Sequence, residues 1–469
     1  MDAELIDAVK QIGVKAGVLE PEITKPPKGS DKLAGQAQLA ASVGALECYY
    51  DGTKFLIPTA RGEWSHVDSR MLRIHLRRKG FTTNKLDGEN LTELEFAEHE
   101  IVQHPVAFSG ALAGQDKGMI EDMNGARVLV TSSPKRITPQ AGDFPILKKL
   151  LAGMFPEEDG NQSLFLFGWL KTARLAFKSG CFKPGQALVL AGEPESGKTL
   201  LRSLITEILG GRSAKPYQYM TGGTGFNADL FGAEVLGIDD EQASTDIRSR
   251  RALGARIKEM LFSPDQRCHG KGRQAVILRP FWRLVLCTNC EPENLMVLPP
   301  LDESLRDKIT ILKVSKREMP MPTGTTEQTA LFWETLIGEL PVFLYWLEDE
   351  FQVPEDLKSP RCGIREFHDP ELLESINDLS PEFQLLEAID RVLFEHRPEA
   401  DPWRGKAETL QRRLEGDTEM GGSVKRLLSF RTACGTYLGR LALARPDRIQ
   451  SIRTKLSREW EIRPISQQS

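Results

Sequence analysis

The 469-residue sequence has no apolar run approaching the roughly 20 residues of a membrane-spanning helix. Its start, Met1-Asp2-Ala3-Glu4-Leu5, has no basic and apolar leader. A cytoplasmic protein without a membrane partner is the expectation. Seven cysteines are scattered along the chain. An odd, dispersed set argues against a disulfide framework. Cys287 and Cys290 form a C-x-x-C pair, but no second pair stands at zinc spacing, so both read as packing residues. The chain has no internal repeat. It also lacks, near its N-terminus, the acidic D-x-D pair with a companion histidine that a primase-polymerase metal site needs. It has no net positive charge either: the formal value is −5. That excludes a polycation but not nucleic-acid binding, which depends on where charge is placed. Residues 403–463 hold 14 Lys and Arg against seven Asp and Glu, whereas residues 348–402 are acidic.

What is present is a phosphate-binding loop. Gly192-Glu193-Pro194-Glu195-Ser196-Gly197-Lys198-Thr199 fits G-x-x-x-x-G-K-[ST]. The apolar run 187–191 before it reads as a buried strand, and residues 200–209 after it read as a helix ending at Gly210-Gly211. Strand, loop and helix are the context this motif requires. Its glycines let backbone N–H groups curl around phosphate oxygens at a helix N-terminus. Lys198 is expected at the β- and γ-phosphates of ATP and the Thr199 hydroxyl on Mg²⁺.

Two further strand ends carry polar groups. Residues 234–238 lead into Asp239, Asp240 and Glu241, about 40 residues after the loop. This matches a Walker B motif. Asp239 or Asp240 is expected to hold the metal, and Asp240 or Glu241 to orient the attacking water. Residues 281–288 form an apolar strand ending at Asn289, whose amide suits a γ-phosphate or water sensor. Between them, residues 266–278 alternate glycine with His269, Lys271 and Arg273 ahead of an apolar strand. An exposed basic hairpin of this kind can grip a phosphate backbone.

Around these motifs the length predicts about three domains. Residues 1–142 read as an α+β accessory region. It has a short helix over 3–12, a Pro-rich linker near 21–30, strands around an Asp51-Gly52 turn, a basic amphipathic helix over 70–79, and strands near 105–108 and 126–131. Residues 143–351 read as an α/β nucleotide-binding core that closes with a helix over 328–351. Residues 352–378 read as an irregular, exposed linker. Residues 379–469 read as helices over 382–395, 406–414 and 423–444, then strands at 448–452 and 460–465. This is a winged-helix arrangement, with 431–445 as its recognition helix.

Loop, acidic strand, basic hairpin and terminal Asn, in this order, resemble the superfamily 3 helicases, nearest to the poxvirus-type and phage primase–helicases. The resemblance is strong over 143–316. It implies an AAA+-type core forming a ring, usually a hexamer, with ATP between subunits and single-stranded DNA in the pore. It also implies a bacterial host or virus-infected cell and a separate primase or replication protein as partner. His269 and Lys271 match hairpin positions that contact DNA in the papillomavirus and polyomavirus initiators, with Arg273 as a third. The family's arginine finger follows the Asn strand. Here Lys308 stands at the aligned position and Arg306 two residues earlier, with Arg250, Arg251 and Arg256 as further candidates. The expectation is an ATP-driven DNA helicase serving replication of a virus, phage, plasmid or mobile element. A non-helicase AAA+-like switch that remodels a protein partner is the alternative. A small-molecule kinase is weaker, because it leaves the acids, Asn289 and the hairpin without roles.

Overall fold

The computed structural model describes residues 30–86, 90–122, 124–159, 161–180, 182–239, 247–378, 381–395, 401–453 and 458–464. The expected helix at 3–12 and nearly all of the Pro-rich linker lie outside them. So do Asp240 and Glu241. The chain divides into two units: residues 1–110 with 118–131, and residues 111–117 with 132–469.

The first unit is α+β. The Asp51-Gly52 turn joins β1 (Tyr49–Tyr50) to β2 (Phe55–Pro58), which pairs in turn with β3 (Trp64–Val67). Gly52 sits at φ 87°, and Asp51 Oδ1 accepts from the N–H groups of Thr53 and Lys54. The basic helix runs over Ser69–Arg78, buries Leu72 and Leu76, and is capped by Asp68. A second sheet has the order β4 (Phe108–Gly110), β6 (Arg127–Val130), β5 (Gly118–Glu121). Strand β5 and the helix Glu93–Gln103 are additions to the sequence reading. That helix opens on a capping box between Thr92 and Glu95, a signature legible in the residues themselves.

The second unit is built on a five-stranded sheet of order β13-β7-β12-β9-β8. Its strands are β7 (Ala187–Gly192), β8 (Ser213–Ala214), β9 (Val235–Asp239), β12 (Arg283–Thr288) and β13 (Ile309–Val314). Every pairing is parallel. Such a sheet is buried on both faces, which explains the apolar run of β7 and the apolar stretch 284–287 within β12. Helices Pro145–Met154, Gln162–Ser179, Lys198–Ile208 and Thr326–Tyr345 share one core with the sheet. Glu339 of the last accepts from the first-turn N–H groups of Ile146 and Leu147, so one helix caps another. The helical run Thr326–Glu350 is long and apolar enough to cross a membrane by length and composition alone, which amends the sequence reading. Its Phe332, Leu336, Leu340 and Phe343 pack into this core.

Residues 352–378 are more ordered than expected. Ile311 N donates to Phe367 O at 2.7 Å and Asp369 N to Ile311 O at 3.0 Å, so this segment lines the free edge of β13. A helix, Pro370–Asp378, follows. Beyond it, Pro381–Ile389, Ala407–Glu415, Gly421–Leu427 and Ala433–Ala444 are helical. A sheet of order β14 (Trp403–Gly405), β16 (Arg458–Ile462), β15 (Ile449–Arg453) completes the segment. Its core includes Leu385, Leu410, Leu438 and Trp460. The single helix expected over 423–444 is two, because the chain leaves helical geometry at Leu428. β14, three residues long, is too short to be read from alternation.

Candidate functional site

All five parallel strands point their carboxyl ends to one edge, and the candidate residues follow from those ends. Thr288 pairs level with Ala191, and Cys287 with Asp239. The 192–199 loop, Asp239 and Asn289 are therefore brought together by register, at the edge where open α/β sheets bind ligands.

The loop's shape depends on its glycines. A Cβ on Gly192 would lie 2.4 Å from Val314 O and 2.9 Å from Ser196 Oγ. Gly197 caps the helix at φ 89°, and a Cβ there would lie 2.4 Å from Met154 Cε. Glu195 takes a left-handed φ of 63° with its side chain in solvent. The buried Ser196 hydroxyl has no hydrogen-bond partner among the described residues. Glu193, Pro194 and Thr199 are exposed. Lys198 is 6% exposed and donates to Gly192 O at 2.8 Å, Glu193 O at 2.8 Å and Asn289 Oδ1 at 3.1 Å. One ammonium thus spans the loop and the end of β12. A helix N-terminus, an orphaned hydroxyl and a lysine held under a cramped glycine loop fit the phosphates of a nucleotide. Thr199 and Asp239 are the described residues that would hold its Mg²⁺.

Asp239 is engaged. Its Oδ2 lies 3.0 Å from Arg202 Nη2, on the helix that follows the loop.

The basic loop is a hairpin of β10 (Gln266–Cys268) and β11 (Val276–Leu278), paired antiparallel. Lys271 and Arg273 are exposed at its tip, where Gly272 has φ 71°. His269 stands half-buried at the base. Two residues here escaped the sequence reading. Asn227 is buried and clamps the hairpin three times. Its Nδ2 donates to Arg267 O at 2.9 Å, its Oδ1 accepts from His269 N at 2.8 Å, and its own N–H donates to His269 O at 3.1 Å. Its neighbour Phe226 is exposed, its ring centroid 5.2 Å from that of His269. Only a tertiary contact reveals either one. Burial pushes the Cys268 thiol up to about 12, which leaves it inert.

The finger candidates separate. Arg306 is exposed just before β13, beside the amino end of β7 (Lys308 O accepts from Ala187 N at 2.9 Å). This is the sheet edge opposite the loop. Lys308 pairs with Asp307 at 2.6 Å. Arg250 is buried and donates to Leu298 O at 2.9 Å, and burial lowers its pKa. Arg256 pairs with Glu259 at 2.5 Å and lies over the Tyr219 ring, whereas Arg251 is exposed. Cys287 is buried in β12, and no group of three metal-ligating side chains occurs among the described residues.

Residues 190–304 match DUF5906, a family of unknown function. No curated protein matches the chain. Its fold is similar to the A form apo structure of the NrS-1 C-terminal region, with a TM-score of 0.51 and 13% identity over 91% of this chain and 98% of that one. Another apo structure of that region gives a TM-score of 0.51 and 13% identity over 93% and 99%. The SCCmec type IV Cch active helicase is 12% identical over 85% of this chain and 73% of that one, at a TM-score of 0.27 that establishes no shared fold. The likeness to the NrS-1 region is one of fold.

Proposed function

We propose that this chain is an ATP-dependent, ring-forming DNA helicase of the AAA+ type, akin to superfamily 3 and serving replication of a virus or mobile element. The observation that carries the reading is the Lys198 ammonium, shared between the carbonyls of the phosphate loop and the amide of Asn289. Bound Mg²⁺-ATP supplies the phosphoryl group to be transferred and part of its charge compensation. Lys198 reaches that group from a buried position, where its charge is weakly screened. Asn289, held by Lys198, orients the water. Asp240 and Glu241, next along the chain from β9, carry the metal and water roles beside Asp239. Arg306, exposed at the opposite edge of the sheet, serves a neighbouring subunit's nucleotide in a ring such as a hexamer. Phosphoryl transfer is mostly positioning and electrostatics, which these groups provide. Lys271 and Arg273 hold the DNA backbone, while Phe226 and His269 offer aromatic faces to bases.

The test is strand separation on a forked duplex with ATP and Mg²⁺. Unwinding that Lys198→Ala abolishes is expected. Hydrolysis without unwinding on any fork would overturn the helicase reading.

One observation favours the alternative of a protein-remodelling switch. Several arginines of the 379–469 winged-helix-like segment pair with acids of the same segment. Arg440 pairs with Glu382 at 3.4 Å, Arg445 with Asp447 at 3.1 Å, Arg463 with Glu461 at 3.0 Å, and Arg448 with Asp390. Under that reading this segment faces a protein. Salt-sensitive duplex binding that is lost on Arg431→Ala would exclude it.

A further inference from the structure

Arg202 lies one helical turn beyond Lys198, so both side chains leave the same face of the Lys198–Ile208 helix. It reaches across β9 to Asp239. The path exists because residue 237 is glycine: a Cβ there would stand 2.2 Å from Arg202 Nη1. A glycine inside a buried strand weakens it, and close approach of another group is its usual reason. The contact is also incomplete. Arg202 Nε and Asp239 Oδ1 are both buried, and neither has a hydrogen-bond partner among the described residues. Guanidinium and carboxylate can meet by two parallel bonds. Here each leaves a polar atom unmet, which is costly away from water. A pair built this way holds Asp239 in place while leaving part of its bonding capacity open.

We infer that Arg202 is a positioning residue that occupies Asp239 as a resident cation until a divalent ion arrives with the nucleotide. This rests on the nucleotide site proposed above. The Asp239 carboxylate then does not meet the incoming phosphates as a bare charge. The metal enters by displacing one ion-pair contact. Arg202 therefore sets how much Mg²⁺ the site needs.

The experiment is binding of a fluorescent ATP analogue to the full chain, titrated with MgCl₂. Arg202→Gln removes the competitor and is expected to lower the half-saturating Mg²⁺ concentration roughly fivefold, the worth of a partly exposed ion pair. Gly237→Ala keeps the charge but closes its path, and is expected to shift the Mg²⁺ requirement the same way. On an Asp239→Asn background both shifts should vanish. An unchanged or raised Mg²⁺ requirement in Arg202→Gln, at unchanged thermal stability, would overturn the inference. So would shifts that persist with Asp239→Asn. Failure of the wild-type chain to bind the analogue at any Mg²⁺ concentration would instead overturn the nucleotide site itself.

Discussion

The Lys198 ammonium donates to Asn289 Oδ1 across 3.1 Å, joining residues 91 positions apart in the sequence. The contact requires β12 to lie beside β7, with Thr288 level with Ala191. It makes the two side chains one device. Lys198→Ala should abolish ATP turnover. Asn289→Ala should leave nucleotide affinity nearly unchanged and lower kcat about 100-fold, the usual loss for one positioned donor. Steady-state kinetics beside equilibrium binding separate the two effects. A loss confined to binding would assign Asn289 to the turn instead.

Asn227 offers a separable defect. Asn227→Ala leaves His269 N and Arg267 O without the partners they have now. The expected loss of stability is about 1–3 kcal/mol. Basal hydrolysis should survive, while stimulation by DNA falls. Thermal unfolding and ATPase assays on one preparation check both. Equal loss of basal and stimulated turnover would show that the clamp supports the core rather than the hairpin.

Arg306 and Lys308 should behave differently. Arg306→Ala is expected to lower hydrolysis by about 10³-fold or more, as removal of a trans finger does, with nucleotide binding intact. Mixing it with Lys198→Ala should restore part of the activity, because each subunit supplies what the other lacks. Lys308→Ala, which removes a group already paired with Asp307, should retain most turnover. No recovery in mixed assemblies would place Arg306 outside the shared site.

His368 predicts an acid sensitivity. Burial, then the nearby Arg306 charge, lowers its pKa below the ordinary 6.5 of an imidazole. The folded state therefore favours the neutral ring, and the unfolded chain binds the proton more readily. Stability from this site is fully present above pH 6.5 and declines as pH falls towards the folded pKa. Melting temperatures from pH 7.5 to 5.5 should fall less steeply in His368→Gln than in the wild type. Parallel curves would show that His368 does not set the acid sensitivity.

The sequence displayed some of this and hid the rest for physical reasons. The shape of the 192–199 loop was legible because its backbone geometry demands particular residues, Gly192 and Gly197 among them. β7 and β12 were legible because both faces of the sheet are buried, leaving apolar stretches at 187–191 and 284–287. The tip of the basic hairpin was legible from alternating glycine and charge. Arg202, Asn227 and Phe226 were not, since their significance lies in contacts with residues 37, 42 and 43 positions away. Gly237 was passed over as a strand residue, although an unexplained glycine between Leu236 and Ile238 hints at a close neighbour. Residues 352–378 misled because β13 recruits them by backbone hydrogen bonds, which no side-chain pattern announces. The capping box at Thr92 and Glu95 was readable, and its helix could have been located from it.

The proposed function stands on ATP hydrolysis being coupled to DNA held at the hairpin. The most direct measurement is steady-state hydrolysis with and without single-stranded DNA, for the wild type and for Lys271→Ala. Stimulation by DNA in the wild type and its loss in Lys271→Ala, with basal rates equal, is the predicted result. Hydrolysis indifferent to both DNA and Lys271 would contradict it.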